Sequence, residues 1–192
     1  MGQAANPANP AHSELPEAQI THVGIFVRDI DTMIGFYTRV LGLILTDRGP
    51  YYRGGEICFL SRKSDEHHQV VFATGRAPGA PSSINQISFF VPDLATLKRF
   101  HEILVAQGVA GLDPINHGNA WSLYFPDPEG NRLELYTITP WYVEQPFADR
   151  LDLRESVETV HEKTFAMIRG DPSHCPRAEW EAKMRQRLGR SP

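Results

Sequence analysis

At 192 residues, 41% hydrophobic and 22% charged, the chain is long enough to bury a real core as one large domain or two small ones. A net charge of −4 gives no general reason to expect nucleic acid or an anionic membrane as partner, and no run approaches the roughly 20 apolar residues of a membrane span. Two cysteines, Cys58 and Cys175, make neither a disulfide framework nor a Cys-x-x-Cys motif, which predicts a reducing, cytoplasmic setting.

Residues 1–18 read as a flexible Pro/Ala/Asn tail with neither the basic start nor the apolar core of a secretory signal. "ITHVGIFVRDI", residues 20–30, then opens a strand. "DTMIGFYTRVLGLIL" follows as a helix, with Asp31 as expected N-cap, Met33, Phe36, Tyr37, Val40 and Leu41 at helical spacing, and Gly42 as the stop. Strands are predicted near 43–47, at "EICFLSR" (56–62) and at "HHQVVFAT" (67–74). After the Gly/Pro/Ser linker 75–83 the opening returns 64 positions on, as "INQISFFVPDL", residues 84–94. A second helix, with Leu97, Phe100, Ile103 and Leu104 on one face, stops at Gly108. The strands "AWSLYF" (120–125) and "RLELYTI" (132–138) follow, joined by the turn "PDPEGN". The chain therefore reads as an α+β fold with βαβββ written twice, over 19–74 and 84–147. Residues 148–192 form a helical C-terminal extension, with helices near 154–169 and 177–188. "TPWYVEQPF" is apolar enough to pack across the sheet or the cup mouth, and the basic end "KMRQRLGR" reads as the solvated face of the last helix.

A tandem βαβββ pair with His22 near the start of its first strand and "NRLELY" in its last resembles the vicinal oxygen chelate superfamily. This is the group of glyoxalase I, fosfomycin and bleomycin resistance proteins, and extradiol ring-cleaving dioxygenases. The resemblance covers about residues 19–147. It implies two modules forming an open sheet cup around a metal, and a homodimer as the expected assembly. Family ligand positions fall on His22, Gln86 and Glu134. Strand alternation puts His22 with Gly24 and Phe26, Gln86 with Ser88 and Phe90, and Glu134 with Arg132 and Tyr136. A fourth family position, located by the repeat at Val70, holds no carboxylate, so the expected site takes three ligands from protein.

Few protein ligands leave positions open for two substrate oxygens and dioxygen, which suits Fe(II) and the extradiol, catechol 2,3-dioxygenase-like members. There the second histidine of "HHQVVFA", His68, would act as acid/base, alternation turning it into the cup and His67 outward. Tyr124 would hydrogen-bond a substrate hydroxyl. Phe26, Phe72, Phe90, Trp121 and Tyr136 are candidates for the cup's apolar wall. The implied function is ring cleavage of a catechol-like aromatic diol by dioxygen, with Fe(II) or another divalent metal (Mn, Zn, Ni, Co).

Gln86 departs from the family pattern, because extradiol enzymes carry a second histidine there. An amide oxygen binds hard metals but is a weak neutral donor for Fe(II). Three readings of Gln86 stay open: ligand, neighbour of a ligand with His68 or His117 in its place, or relic of a lost metal. Two functions compete with the dioxygenase, a glyoxalase-like lyase or isomerase and a metal-free aromatic-ligand binding protein of the drug-resistance type. Arg132 is a candidate salt-bridge partner that would make Glu134 purely structural.

Overall fold

The computed structural model describes residue 16 and residues 18–188, so the expected tail over 1–18 falls essentially outside the described residues. The first module runs β1 (Val23–Val27), α1 (Ile30–Leu41), β2 (Ile44–Pro50), β3 (Glu56–Ser61) and β4 (Val70–Thr74). Its sheet has the order β1-β4-β3-β2, with β1 parallel to β4. The second module runs β5 (Ile87–Phe90), α2 (Leu94–Ala106), β6 (Asp113–Asn116), β7 (Ala120–Pro126) and β8 (Arg132–Ile138). It repeats the order as β5-β8-β7-β6, with β5 parallel to β8. Neither sheet closes into a barrel. Strand β6 went unpredicted, because "DPIN" carries neither alternation nor a β-branched run.

The chain divides into two compact units. One holds residues Ile20–Pro114 and Ser122–Thr137, the other Ile115–Trp121 and the chain from Ile138 onward. In the first unit the sheet of module one buries one face under α1. Ile25 and Val27 of β1 and Val70 and Phe72 of β4 are buried, whereas Gly24 and Phe26 are exposed. The helix starts follow the repeat. Asp29 accepts from Thr32 N at 3.0 Å and Asp93 accepts from Thr96 N at 2.7 Å, so these are the N-caps. Asp31, the expected cap, lies inside the first turn of α1, because the cap needs the extended backbone that Asp29 adopts. Gly42 ends α1 in the left-handed conformation, as expected.

The turn "PDPEGN" does more than reverse the chain. Asp127 is buried and accepts from Glu129 N, Asn131 N, Asn131 Nδ2 and the Tyr37 hydroxyl of α1. Burial beside that carboxylate drives the Tyr37 phenol far above its usual range. Glu129, also buried, accepts from Arg28 N at 2.6 Å and Asp29 N at 2.9 Å, and Arg76 donates to the Glu129 carbonyl and to Asn131 Oδ1. The β7–β8 turn of module two is thus bolted to the β1–α1 junction of module one.

In the second unit the chain forms β9 (Trp141–Tyr142), β10 (Asp149–Arg150), α3 (Val157–Ile168), β11 (Cys175–Pro176) and α4 (Arg177–Arg187). Buried Thr164 accepts from Asn116 Nδ2 and Trp121 Nε1. The aromatic stretch after Thr139 packs on the helices that follow it, Trp141 against Phe165 and Tyr142 stacked on Trp180. Helix α4 buries no residue, in keeping with a solvated basic face. Among the described residues no helix is long and apolar enough to cross a membrane.

Candidate metal centre

His22 and Gln86 sit one residue before β1 and β5, and both line a cavity of about 470 Å³ together with Gln69, Val70, Ser88 and Phe89. Glu134 stands on β8 directly opposite Ser88 of β5. The residue is 6% exposed, and its carboxylate takes the Gln86 amide nitrogen at 2.8 Å and the Ser88 hydroxyl on Oε2. Tyr124 also hydrogen-bonds it, and burial first, then this carboxylate, pushes the Tyr124 phenol up to about 12. Among the described residues the donors to this buried carboxylate are all neutral, so a cation beside it would supply the charge partner that burial calls for. Arg132 does not supply it. Its guanidinium lies 3.7 Å from the centre of the Tyr124 ring and 3.7 Å from Asp113, and among the described residues no ion pair involves Glu134.

The Gln86 amide nitrogen is committed to Glu134 and Ser88, which leaves its oxygen as the donor end for a metal. His22 Nδ1 is engaged with the Thr21 hydroxyl at 3.0 Å, so Nε2 is the ligand end of that ring. Glu134 and Gln86 touch, and Gln86 shares its cavity with His22. Among the described residues no three His, Cys, Asp or Glu side chains gather tightly enough to hold a metal by themselves. A metal held here by His22 and Glu134 would need the Gln86 amide oxygen and oxygen donors from outside the chain as well.

The register corrects two expectations. Ser88 pairs with Glu134, and Gly24, its repeat counterpart, pairs with Val71. The counterpart of Glu134 is therefore Val71 rather than Val70, because module one carries one residue more between β1 and β4 than module two carries between β5 and β8; Val71 likewise carries no carboxylate. Val70 faces the core, so alternation alone would turn His68 away from the cup. Instead β4 begins only at Val70, and irregular backbone brings both histidines onto the open face. The His68 ring lies 4.4 Å from that of His22, and His67 and His68 both lie against Phe59. His67 is thus not turned outward as expected. It links His68 to Asp47, through Nδ1 to Nδ1 at 2.9 Å and Nε2 to Oδ2 at 2.6 Å. Burial, then the neighbouring His22 and His67, lowers the His68 pKa.

Of the aromatic wall, Phe26 and Phe90 are on the open face, 53% and 57% exposed, with Tyr136 beside Phe90. Phe72 lies in the core of module one and Trp121 is buried in the second unit, so neither lines the cup. His117 bonds Phe147 O, also in the second unit. Alternation places Ser88 on the face of Gln86, but only the pairing of β5 with β8 brings its hydroxyl to Glu134. Asp47 was invisible, since its position depends on a bulge.

A duplicated βαβββ cup, with an amide and an imidazole lining one cavity and the amide bonded to a buried carboxylate, points to one superfamily of paired-module proteins. The chain belongs to the Glyoxalase/Bleomycin resistance protein/Dioxygenase superfamily, whose model matches residues 19–135. Biphenyl-2,3-diol 1,2-dioxygenase 2 of Rhodococcus globerulus is 30% identical over 123 residues, covering 61% of this chain and 61% of that protein. The chain thus spans less than two thirds of that relative. Biphenyl-2,3-diol 1,2-dioxygenase 3 of the same organism is 28% identical over 173 residues, covering 85% and 81%. Among solved structures, a glyoxylase/bleomycin resistance protein/dioxygenase domain from Frankia sp. EAN1pec superposes with TM-score 0.56 at 21% identity, over 65% of this chain and 100% of that one. The fosfomycin resistance protein FosX of Listeria monocytogenes, complexed with Mn(II) and sulfate, gives TM-score 0.51 at 17% identity, over 65% and 95%. These two likenesses establish the fold alone.

Proposed function

We propose that this chain is a divalent-metal enzyme of the extradiol type, opening catechol-like aromatic diols with dioxygen. The observation that carries the reading is Glu134, a buried carboxylate with neutral partners only, bonded to an amide that shares its cavity with an imidazole. The similarity to two biphenyl-2,3-diol dioxygenases supports the reaction class. His22 Nε2, Gln86 Oε1 and the Glu134 carboxylate would hold the metal, Fe(II) on this reading, and the assembly would be a homodimer. When bound, the metal supplies two-point chelation of the diol and a route for electrons from the ring to dioxygen.

The remaining work falls to the chain's own side chains. His68, whose lowered pKa keeps it neutral near pH 7, accepts a proton from the substrate hydroxyl. Tyr124, held protonated, acts as a donor that fixes Glu134 and then the bound diol. Phe26 and Phe90, one from each module, present apolar rings to the flat substrate and keep water from it.

Anaerobic titration with Fe(II) tests this. We expect about one iron per chain, dioxygen uptake with catechols and a yellow product, all lost in Glu134→Ala. Colourless, oxygen-independent behaviour across a catechol panel would reject the dioxygenase. One observation favours a second reading, a metal-free binder of aromatic ligands: no three His, Cys, Asp or Glu side chains converge among the described residues. That reading predicts ligand affinity unchanged in His22→Ala and Glu134→Ala.

A further inference from the structure

Asp47 reaches the cup because strand β2 carries a bulge. Leu45 pairs with Leu60, but the next partner, Phe59, faces Asp47, so Thr46 is the inserted residue. Without the insertion Thr46 would face Phe59, and Asp47 would face Cys58, which is buried in the core. The bulge moves Asp47 from the core side to the open side of the sheet, where His67 meets it. Bulges recur beside functional sites for this reason: one extra residue re-aims every side chain beyond it.

The hydrogen bonds then fix protons in sequence. A carboxylate only accepts, so the His67 nitrogen facing it, Nε2, is the donor. A neutral His67 has one N–H, which leaves its Nδ1 as an acceptor. The contact at 2.9 Å between the two Nδ1 atoms therefore needs its proton on His68. A neutral His68 with Nδ1–H carries its lone pair on Nε2. Free imidazole side chains in water favour the opposite tautomer, so the chain from Asp47 through His67 imposes a form His68 would not otherwise prefer. Phe59 backs both rings and limits their rotation.

We propose that Asp47 and His67 are positioning residues that lock His68 as its Nδ1–H tautomer, presenting the Nε2 lone pair as the acceptor beside His22. The consequence for turnover rests on the dioxygenase reading; the tautomer does not. The test is long-range proton–nitrogen correlation on the nitrogen-15-labelled, metal-free full chain at pH 8, well above the range where histidine ordinarily titrates. For His68 we expect a pyrrole-like Nδ1 and a pyridine-like Nε2. Asp47→Ala and His67→Phe should each reverse that pattern, and Asp47→Glu should preserve it. Both substituted side chains are mostly exposed, 70% for Asp47 and 53% for His67, so the variants keep the fold, as an unchanged amide spectrum away from the site would verify. A wild-type His68 protonated on Nε2 overturns the proposal, as does an Nδ1–H pattern that persists in both variants. In iron-loaded protein the same variants should lower kcat by about 10–100-fold with KM and metal content unchanged, the usual scale for losing an orienting partner. Failure to load iron would sink the dioxygenase and leave the tautomer result standing.

Discussion

The two modules share a strand order and a helix cap, yet their open faces carry opposite chemistry. Module one presents imidazoles in partly exposed positions: His22, then His68 and His67, ending at Asp47. Module two presents a buried carboxylate with an amide, a hydroxyl and a phenol around it. The difference extends to the turns. "PDPEGN" in module two is a buried, fully bonded clamp, while its counterpart "RKSDEHH" in module one is open and delivers the histidines. Duplication supplied a scaffold, and the chemistry resides in the positions where the copies ceased to match.

The clamp is where this contrast can be broken most severely. Asp127→Ala leaves four donors of a buried network without their acceptor, and we expect it to lower stability by about 3–5 kcal/mol in urea unfolding. The exposed Asp65, in the matching turn of module one, should tolerate alanine within about 0.5 kcal/mol. Equal losses would mean that the clamp is not what distinguishes the turns. The proposed metal site comes next. Removing the charge in module two, Glu134→Ala, should weaken Fe(II) binding on the order of 100-fold or more, since even orienting partners of ligands contribute 10–100-fold. His22→Ala removes a neutral donor from module one, and calorimetry should find the smaller loss there.

The repeat, both helices and the open faces of β1 and β5 were legible because period-two alternation and the 64-residue echo are properties of sequence alone. The same echo sets Gln86 against His22, while the expectation that His22, Gln86 and Glu134 are ligands comes from the family resemblance. What escaped notice depended on register. A one-residue difference before β4 moved the counterpart of Glu134 to Val71, and one inserted residue in β2 turned Asp47 toward His67. Neither leaves a compositional mark, because a slip of one residue exchanges the faces without changing any letter. The clamp was hidden for another reason. Glu129 and Arg76 look like ordinary turn and linker charges until folding brings Arg28 and Asp29 across to them.

The core side of module one offers a milder probe. Cys58 is fully buried, and burial pushes its thiol up to about 11. In the unfolded chain a thiol ionises near pH 8.5, so between there and about 11 the folded state holds a proton that the unfolded state has released. Stability from this group is complete below pH 8 and declines as pH rises through that window, by roughly 3 kcal/mol in all. The Cys58→Ala variant should flatten the alkaline limb of the unfolding curve. Native alkylation at pH 8 should modify Cys175, which is only partly buried, and spare Cys58 until the chain unfolds.

The smallest expected effect tests where the modules are alike. Asp29 and Asp93 occupy the same cap, and each carboxyl is held below the usual carboxylate range, first by the backbone N–H three residues on and then by that threonine's hydroxyl. A depressed folded value means the unfolded chain takes up the proton first on acidification. The contribution is therefore complete above the unfolded value near pH 4 and lost as pH falls through the folded one. Asp29→Ala and Asp93→Ala should each lower Tm by about 2–4 °C at pH 7, and the gap from wild type should close in acid. The backbone N–H of Asp29 also reaches Glu129, which alanine at that position leaves intact. A much larger loss from Asp29→Ala than from Asp93→Ala would therefore show that the side chain helps seat the clamp, carrying the asymmetry of the turns into the helix starts.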